Sequence, residues 1–201
     1  MAGLGIVAVV VAAFAAGAAP PDSTANSPVR SFASRLQSAG RASSAFDRVG
    51  TAFDGTRTTL KGRVALEPPD RVALAFPSSG ERLALRADGG EWLQPNLEQM
   101  MRLGPRARAS ARTWWAALLG KPIPGLTLKA AGKQRVLAIA VETRDSAGVE
   151  LDGHGDPRAL EFMDGGSRVR FQFSGWRFER AKGAAAFTIA APKEFAVVDL
   201  P

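Results

Sequence analysis

Few side chains in this sequence are able to do chemistry. Among 201 residues there is one histidine, His154, and no cysteine. Histidine is the usual general base near neutral pH and the commonest zinc ligand, so hydrolase triads and zinc sites lack their raw material. Without cysteine there is no disulfide, thiolate metal site, thiol nucleophile or lipid-modified cysteine. His154 sits in Asp152-Gly153-His154-Gly155-Asp156, a Gly/Asp-rich spacing that reads as a turn between strands. Asp88-Gly89-Gly90 and Asp164-Gly165-Gly166 read as hairpin turns, without the lysine and following helix of a phosphate loop. The acids alternate onto polar strand faces, which leaves no inward carboxylate pair for glycoside chemistry. No enzyme, cofactor or metal is expected. What remains is apolar: Met100-Met101 and Trp114-Trp115, thioethers and rings that suit either a core or an adaptable lining for an acyl chain.

The composition, 46% apolar and 22% charged with a net charge of +7, is that of one ordinary globular domain. The charge is local. Between 99 and 141 lie Arg102, Arg106, Arg108, Arg112, Lys121, Lys129, Lys133 and Arg135 with no acid, while the flanking segments nearly balance. No helix-turn-helix or run of interleaved aromatics accompanies these cations, so nucleic acid is not expected as a partner. An anionic membrane surface or an acidic protein fits better. Arg106, Arg108 and Arg112 fall near the start of a helix, where cations oppose the helix dipole, and are candidates for docking a partner.

Residues 1–19 carry no charged side chain, and Leu4 to Phe14 form an apolar run too short to span a bilayer. Ala16-Gly17-Ala18 supplies the small residues of a cleavage site, and Pro20-Pro21 follows. The expectation is a signal peptide over 1–19 and a single domain over 20–201, soluble in the periplasm and monomeric.

The elements that must position these groups follow from periodicity. Ser27 as N-cap, Pro28 at the first helical position and Val29, Phe32, Ala33, Leu36 and Ala39 at helical spacing predict a helix ending before Gly40. From Arg57 the period becomes two: Leu60, Gly62, Val64 and Leu66 share one face, with Arg63 and Glu67 opposite. Val72, Leu74 and Phe76, then Leu83 and Leu85, then Trp92, continue a meander of short antiparallel strands. Ala107, Ala111, Trp114, Trp115, Leu118 and Leu119 predict a second helix closed by Gly120. Further strands are expected at Leu137, Ile139, Val141 and Thr143, at 149–151 and 160–163, through Val169, Phe171 and Phe173, through Phe187, Ile189 and Ala191, and at 196–200. A bulge at Ser174-Gly175 keeps Trp176 and Phe178 on the apolar face. The fold class is α+β: a large curved antiparallel sheet, lidded by α-helices around an apolar cavity.

Gly62-Arg63-Val64-Ala65-Leu66 before Pro69, a strand ending Phe76-Pro77, Ala87-Asp88-Gly89-Gly90-Glu91-Trp92 and Asn96-Leu97-Glu98-Gln99 follow one another in an order that resembles the periplasmic lipoprotein carrier family, LolA. Ala186 to Pro192 followed by Phe195 to Asp199 is similar to that family's closing strand pair. The resemblance runs from Pro28 to Asp199. It implies an unclosed half-barrel whose cavity takes the acyl chains of a lipoprotein, collected from an inner-membrane lipoprotein-releasing ABC transporter and delivered to an outer-membrane receptor. In this chain the cavity is expected to be lined by Val64, Leu66, Val72, Leu74, Phe76, Leu83, Leu85, Trp92, Met100, Trp114, Trp115, Leu118, Phe171, Phe173 and Phe187. Where the family has a basic pair that ties down the lid, this sequence has Glu67 and Pro68, and Arg71 is the candidate substitute. The alternative reading is a lipid- or lipoprotein-sensing module that reports through a partner.

Overall fold

A computed structural model describes residues 29–105, 114–115, 117–119, 126–140, 145–164 and 166–200. The expected signal peptide, the Ser27-Pro28 cap, Arg106, Arg108 and Arg112, and Ala107, Ala111, Gly120, Val141 and Thr143 lie outside these residues.

The chain opens with helix α1 (Arg30–Ala39), which stops at Gly40 in the left-handed region, φ 94°, with the Gly40 N–H donating to the Leu36 carbonyl at 2.8 Å. Glycine reaches that conformation without the Cβ clash other residues meet. Val29, not a serine, is the N-cap, and no side chain caps the helix. Phe32 and Leu36 are fully buried.

Among the described residues twelve strands form one sheet: β1 (Arg41–Thr51), β2 (Arg57–Glu67), β3 (Arg71–Phe76), β4 (Glu81–Leu85), β5 (Gly90–Gln94), β6 (Gln99–Leu103), β7 (Leu126–Ala130), β8 (Arg135–Ala140), β9 (Ser146–Leu151), β10 (Pro157–Asp164), β11 (Ser167–Glu179) and β12 (Ala196–Leu200). Their order is β12-β6-β5-β4-β3-β2-β1-β11-β10-β9-β8-β7, so β12 and β7 are edges and the sheet does not close. All described pairings are antiparallel except β12 on β6.

The structure corrects several sequence expectations. Strand β1 is not among the predicted elements, yet it is central, pairing β2 on one side and β11 on the other. Strand β6 is likewise absent from them. In β8 the buried residues are Val136 and Ala138, not Leu137 and Ile139, because Val136 pairs Val149 and Ala138 pairs Ala147; a one-residue change of parity swaps every side chain between faces. The expected strand through Phe187, Ile189 and Ala191 is a 3-10 turn, Ala184–Phe187, followed by extended chain outside the sheet. No closing strand pair forms among the described residues, since β12 joins β6. The bulge is present: Ala45 pairs Ser174 and Ser43 pairs Arg177, with Gly175 at φ 69°. The extra residue turns Trp176 and Phe178 toward α1, where both rings meet Phe32.

The two faces of the sheet differ. One, here called concave, carries the main core, and α1 and the helical residues 114–115 and 117–119 lie on it. On the other, strands β9 to β11 present a salt-bridged exterior. Arg170 donates to Glu150 at 2.8 Å and to Glu161 at 3.2 Å, and Arg168 donates to Glu161 at 2.7 Å. The hydrogen bond from Arg170 holds the Glu150 carboxyl below its ordinary range. Burial pushes Glu161 up, but Arg168 and Arg170 outweigh it and the net shift is also downward. A carboxyl lowered in the folded state contributes stability that is present above its unfolded pKa, about 4.3, and lost as pH falls through the folded value. Arg170→Gln is therefore expected to narrow the gap in urea midpoint between neutral pH and pH about 3. An unchanged gap would show that the ladder contributes nothing measurable.

Candidate functional site

The concave face is assembled strand by strand from the inward half of each alternation. Across the sheet, in register, run Leu83 with Leu74 and Val64, and Leu85 with Val72, Leu66 and Ala42. Trp92 pairs Leu83, and Met101 pairs Trp92. On the other half, Phe46 pairs Phe173, and Leu160 pairs both Phe171 and Val149. Most of these side chains are buried, and all belong to or border one apolar cluster except Trp92, which the cluster does not include.

Aromatic rings form a continuous chain through this cluster. Phe76 meets Phe46 with centroids 5.4 Å apart, Phe46 meets Phe171 at 5.1 Å, and Phe171 meets Trp115 at 5.0 Å. From Phe171 a stacked branch continues to Phe162 and from Phe162 to Trp114, each step 6.1 Å. From Trp115 the contacts pass to Phe173, then Trp176, then Phe32 on α1. Each edge-to-face or offset contact adds about 0.5–1.5 kcal/mol beyond burial. Trp114 and Trp115 thus both turn their rings onto the sheet.

Phe46 shows how the sequence arranges this. Its ring lies over Gly62, its cross-strand partner, where an added Cβ would stand 2.3 Å from the ring and 2.8 Å from the Ala75 carbonyl oxygen. Any side chain at 62 would push Phe46 off Phe76 and Phe171. A glycine inside an otherwise regular strand is the cue that an aromatic covers it, and it is the one sequence signal that points to Phe46.

Of the fifteen residues expected to line a cavity, thirteen share the concave side: ten from strands and Trp114, Trp115 and Leu118 from the helical stretch. Two do not. Met100 and Met101 are consecutive in β6, so only one can face inward, and the register gives that place to Met101. Met100 packs with Ala84, Leu93 and Ile189 in a second cluster on the opposite face. Phe187, in the 3-10 turn, is buried on that same opposite side under the Arg41 guanidinium, 5.7 Å from its ring centroid.

That second cluster exists because the chain after β11 returns across the convex face as a strap before joining the edge as β12. Small residues, Ala65 and Ala84, leave room for it. Glu67 anchors it. Expected on a solvated face, Glu67 is fully buried and accepts hydrogen bonds from the backbone N–H groups of Lys182 at 2.7 Å and Gly183 at 3.0 Å and from Arg71 Nη1 at 2.6 Å. Arg86 fixes the next stretch, donating to the Phe187 carbonyl at 2.6 Å while forking onto Glu91. Arg71, the candidate tie for a lid, faces this strap instead of the concave side, because its register partner is Glu67. His154 is exposed in a turn in which Asp152 accepts from the N–H groups of His154 and Asp156, and Arg35 of α1 pairs with Asp156.

The chain thus has the open antiparallel sheet with helical segments on one face that the LolA resemblance implies. No family model matches the sequence, and no curated protein matches it. Solved structures are similar in shape. An uncharacterized conserved protein of Thermus thermophilus aligns over 87% of this chain and 100% of its own, with 12% identity and a TM-score of 0.48. An outer membrane lipoprotein-sorting protein domain of Vibrio parahaemolyticus aligns over 80% of this chain and 94% of its own, with 12% identity and a TM-score of 0.46. A LolA superfamily protein of Nitrosomonas europaea aligns over 80% and 97%, with 8% identity and a TM-score of 0.43.

Proposed function

We propose that this chain is a periplasmic carrier that takes the acyl chains of lipoproteins against its concave face and ferries them from an inner-membrane ABC transporter to an outer-membrane receptor. In this reading residues 1–19 are the export signal and 20–201 the carrier domain. The observation that carries it is the margin of the concave cluster: Leu60, Leu83, Met101, Leu126, Leu128, Phe162 and Trp114 pack against the core but stay partly exposed. An apolar face that its helices cover incompletely is surface a hydrocarbon chain is able to complete.

Energetics set how such a carrier works. Burying a methylene is worth about 0.8 kcal/mol, so one acyl chain wholly buried would gain roughly 12 kcal/mol and several would scarcely leave. Release therefore needs an empty state that recovers part of that energy. The rings of Trp114 and Trp115 on Phe162 and Phe171 supply it, since the helical stretch packs on the same face the cargo would take.

Native mass spectrometry of protein purified from periplasm tests the proposal. Added masses matching acylated peptides are expected. Free lipid alone would favour a lipid shuttle or sensor over a lipoprotein carrier, and protein that stays bare when offered a triacylated peptide would overturn the reading.

A further inference from the structure

Phe53 is fully exposed, 101% of its reference surface. It stands in the β1–β2 turn, and its exposure is held there by the turn itself: Ala52 N–H donates to the Thr56 carbonyl, Gly55 N–H to the Ala52 carbonyl, and Thr56 N–H to Asp54 Oδ1. The neighbouring β10–β11 hairpin ends beside it and carries Met163, 60% exposed. Register makes these one edge. Thr51 pairs Arg57 on one side and Arg168 on the other, and Arg168 pairs Met163, so Arg57, Thr51, Arg168 and Met163 form a single row across four strands, just behind Phe53. Arg57 is exposed and has no ion pair among the described residues, and the Arg168 side chain is 64% exposed although it also reaches Glu161. The edge projects: β2 pairs β3 only through Arg63–Glu67, so Arg57 to Gly62 rise roughly 20 Å beyond that pairing.

We propose that this edge rests on a phospholipid bilayer, with Phe53 and Met163 seated in the interface and Arg57 and Arg168 on lipid phosphates. Phe53 stands beyond a row that holds Met163 together with the two guanidinium groups, and an apolar tip in front of a mixed apolar and cationic row matches the order of a bilayer from its acyl boundary outward to its phosphates. Phe162, next to Met163 in sequence, turns to the concave side and stacks on Trp114, so the apolar lining begins one residue from the edge. The inference rests on the carrier reading for its purpose, but membrane contact is measured without cargo.

Because the chain has no cysteine, Phe53→Cys, Met163→Cys and, as a control in the exposed β3–β4 turn, Ser78→Cys each take a single nitroxide label. With vesicles of phosphatidylethanolamine and phosphatidylglycerol, the labels at 53 and 163 are expected to become oxygen-accessible and shielded from a water-soluble nickel complex, with 78 unchanged. Phe53→Ser with Met163→Ser should lower vesicle partitioning about tenfold or more, and Arg57→Gln with Arg168→Gln should flatten its salt dependence. All three labels staying in water, or unaltered partitioning of the serine variant, overturns the proposal. Capture of a triacylated peptide in solution is read in parallel: capture without vesicle binding removes the edge and leaves the carrier, and vesicle binding without capture does the reverse.

Discussion

Arg71→Met is expected to lower the unfolding free energy by about 3–5 kcal/mol, because it strands a buried carboxylate. Glu67 has no exposed surface to which its charge might turn, and its remaining partners are two backbone N–H groups of the strap. Glu67→Gln removes the charge together with its partner interaction and leaves one amide oxygen for two donors, so a smaller loss of about 1–3 kcal/mol is expected. The ordering is the informative part. If the pair were a surface ion pair, both variants would cost about 0–1 kcal/mol and neither would depend on which partner was removed. Urea unfolding gives the two values, and protease cleavage between β11 and β12 reports whether the strap opens first. Equal, small losses would show that the strap is held by its other contacts, the buried Phe187 and Ile189 and the Arg86 hydrogen bond, and not by Glu67.

The same pair shows where the sequence stops being informative. Alternation in β2 to β5 identifies the inward residues Val64, Leu66, Val72, Leu74, Phe76, Leu83 and Leu85, because a half-buried strand writes its face into every second position. Alternation does not say whether the second face is covered. Glu67 is polar and out of phase, which points to water, and only the long-range return of residues 180–195 makes it a buried anchor. Strand β1 is invisible for a different reason. Its inward positions are Ala42, Ser44, Phe46 and Arg48, of which one is a large hydrophobe, and small residues at the centre of a sheet carry little pattern. The bulge at Gly175 is legible because two rings would otherwise point outward.

Phe171→Ala should separate a carrier from a protein whose concave face is only a core. Phe171 is 4% exposed and touches the rings of Phe46, Trp115 and Phe162. Truncation is expected to cost the empty protein about 3–5 kcal/mol through lost burial and the cavity left behind. On a pure core the parent takes up no acyl chain, and a rise confined to the variant would report only an apolar ligand in an engineered cavity. On a carrier, an acyl chain occupies the same face, and a ligand at about a hundred times its dissociation constant stabilises the folded state by about 2.7 kcal/mol. In the alanine variant the chain also fills the volume the ring vacated, so the ligand-induced rise in Tm should be larger than in the parent, although the variant starts lower. Thermal unfolding with and without a triacylated peptide checks this, with Leu160→Ala, a fully buried residue one strand away in register with Phe171, as a second deletion from the same face. A shift absent from the parent would return the aromatic chain to ordinary packing, whereas a shift present in the parent and greater in Phe171→Ala would place cargo among those rings.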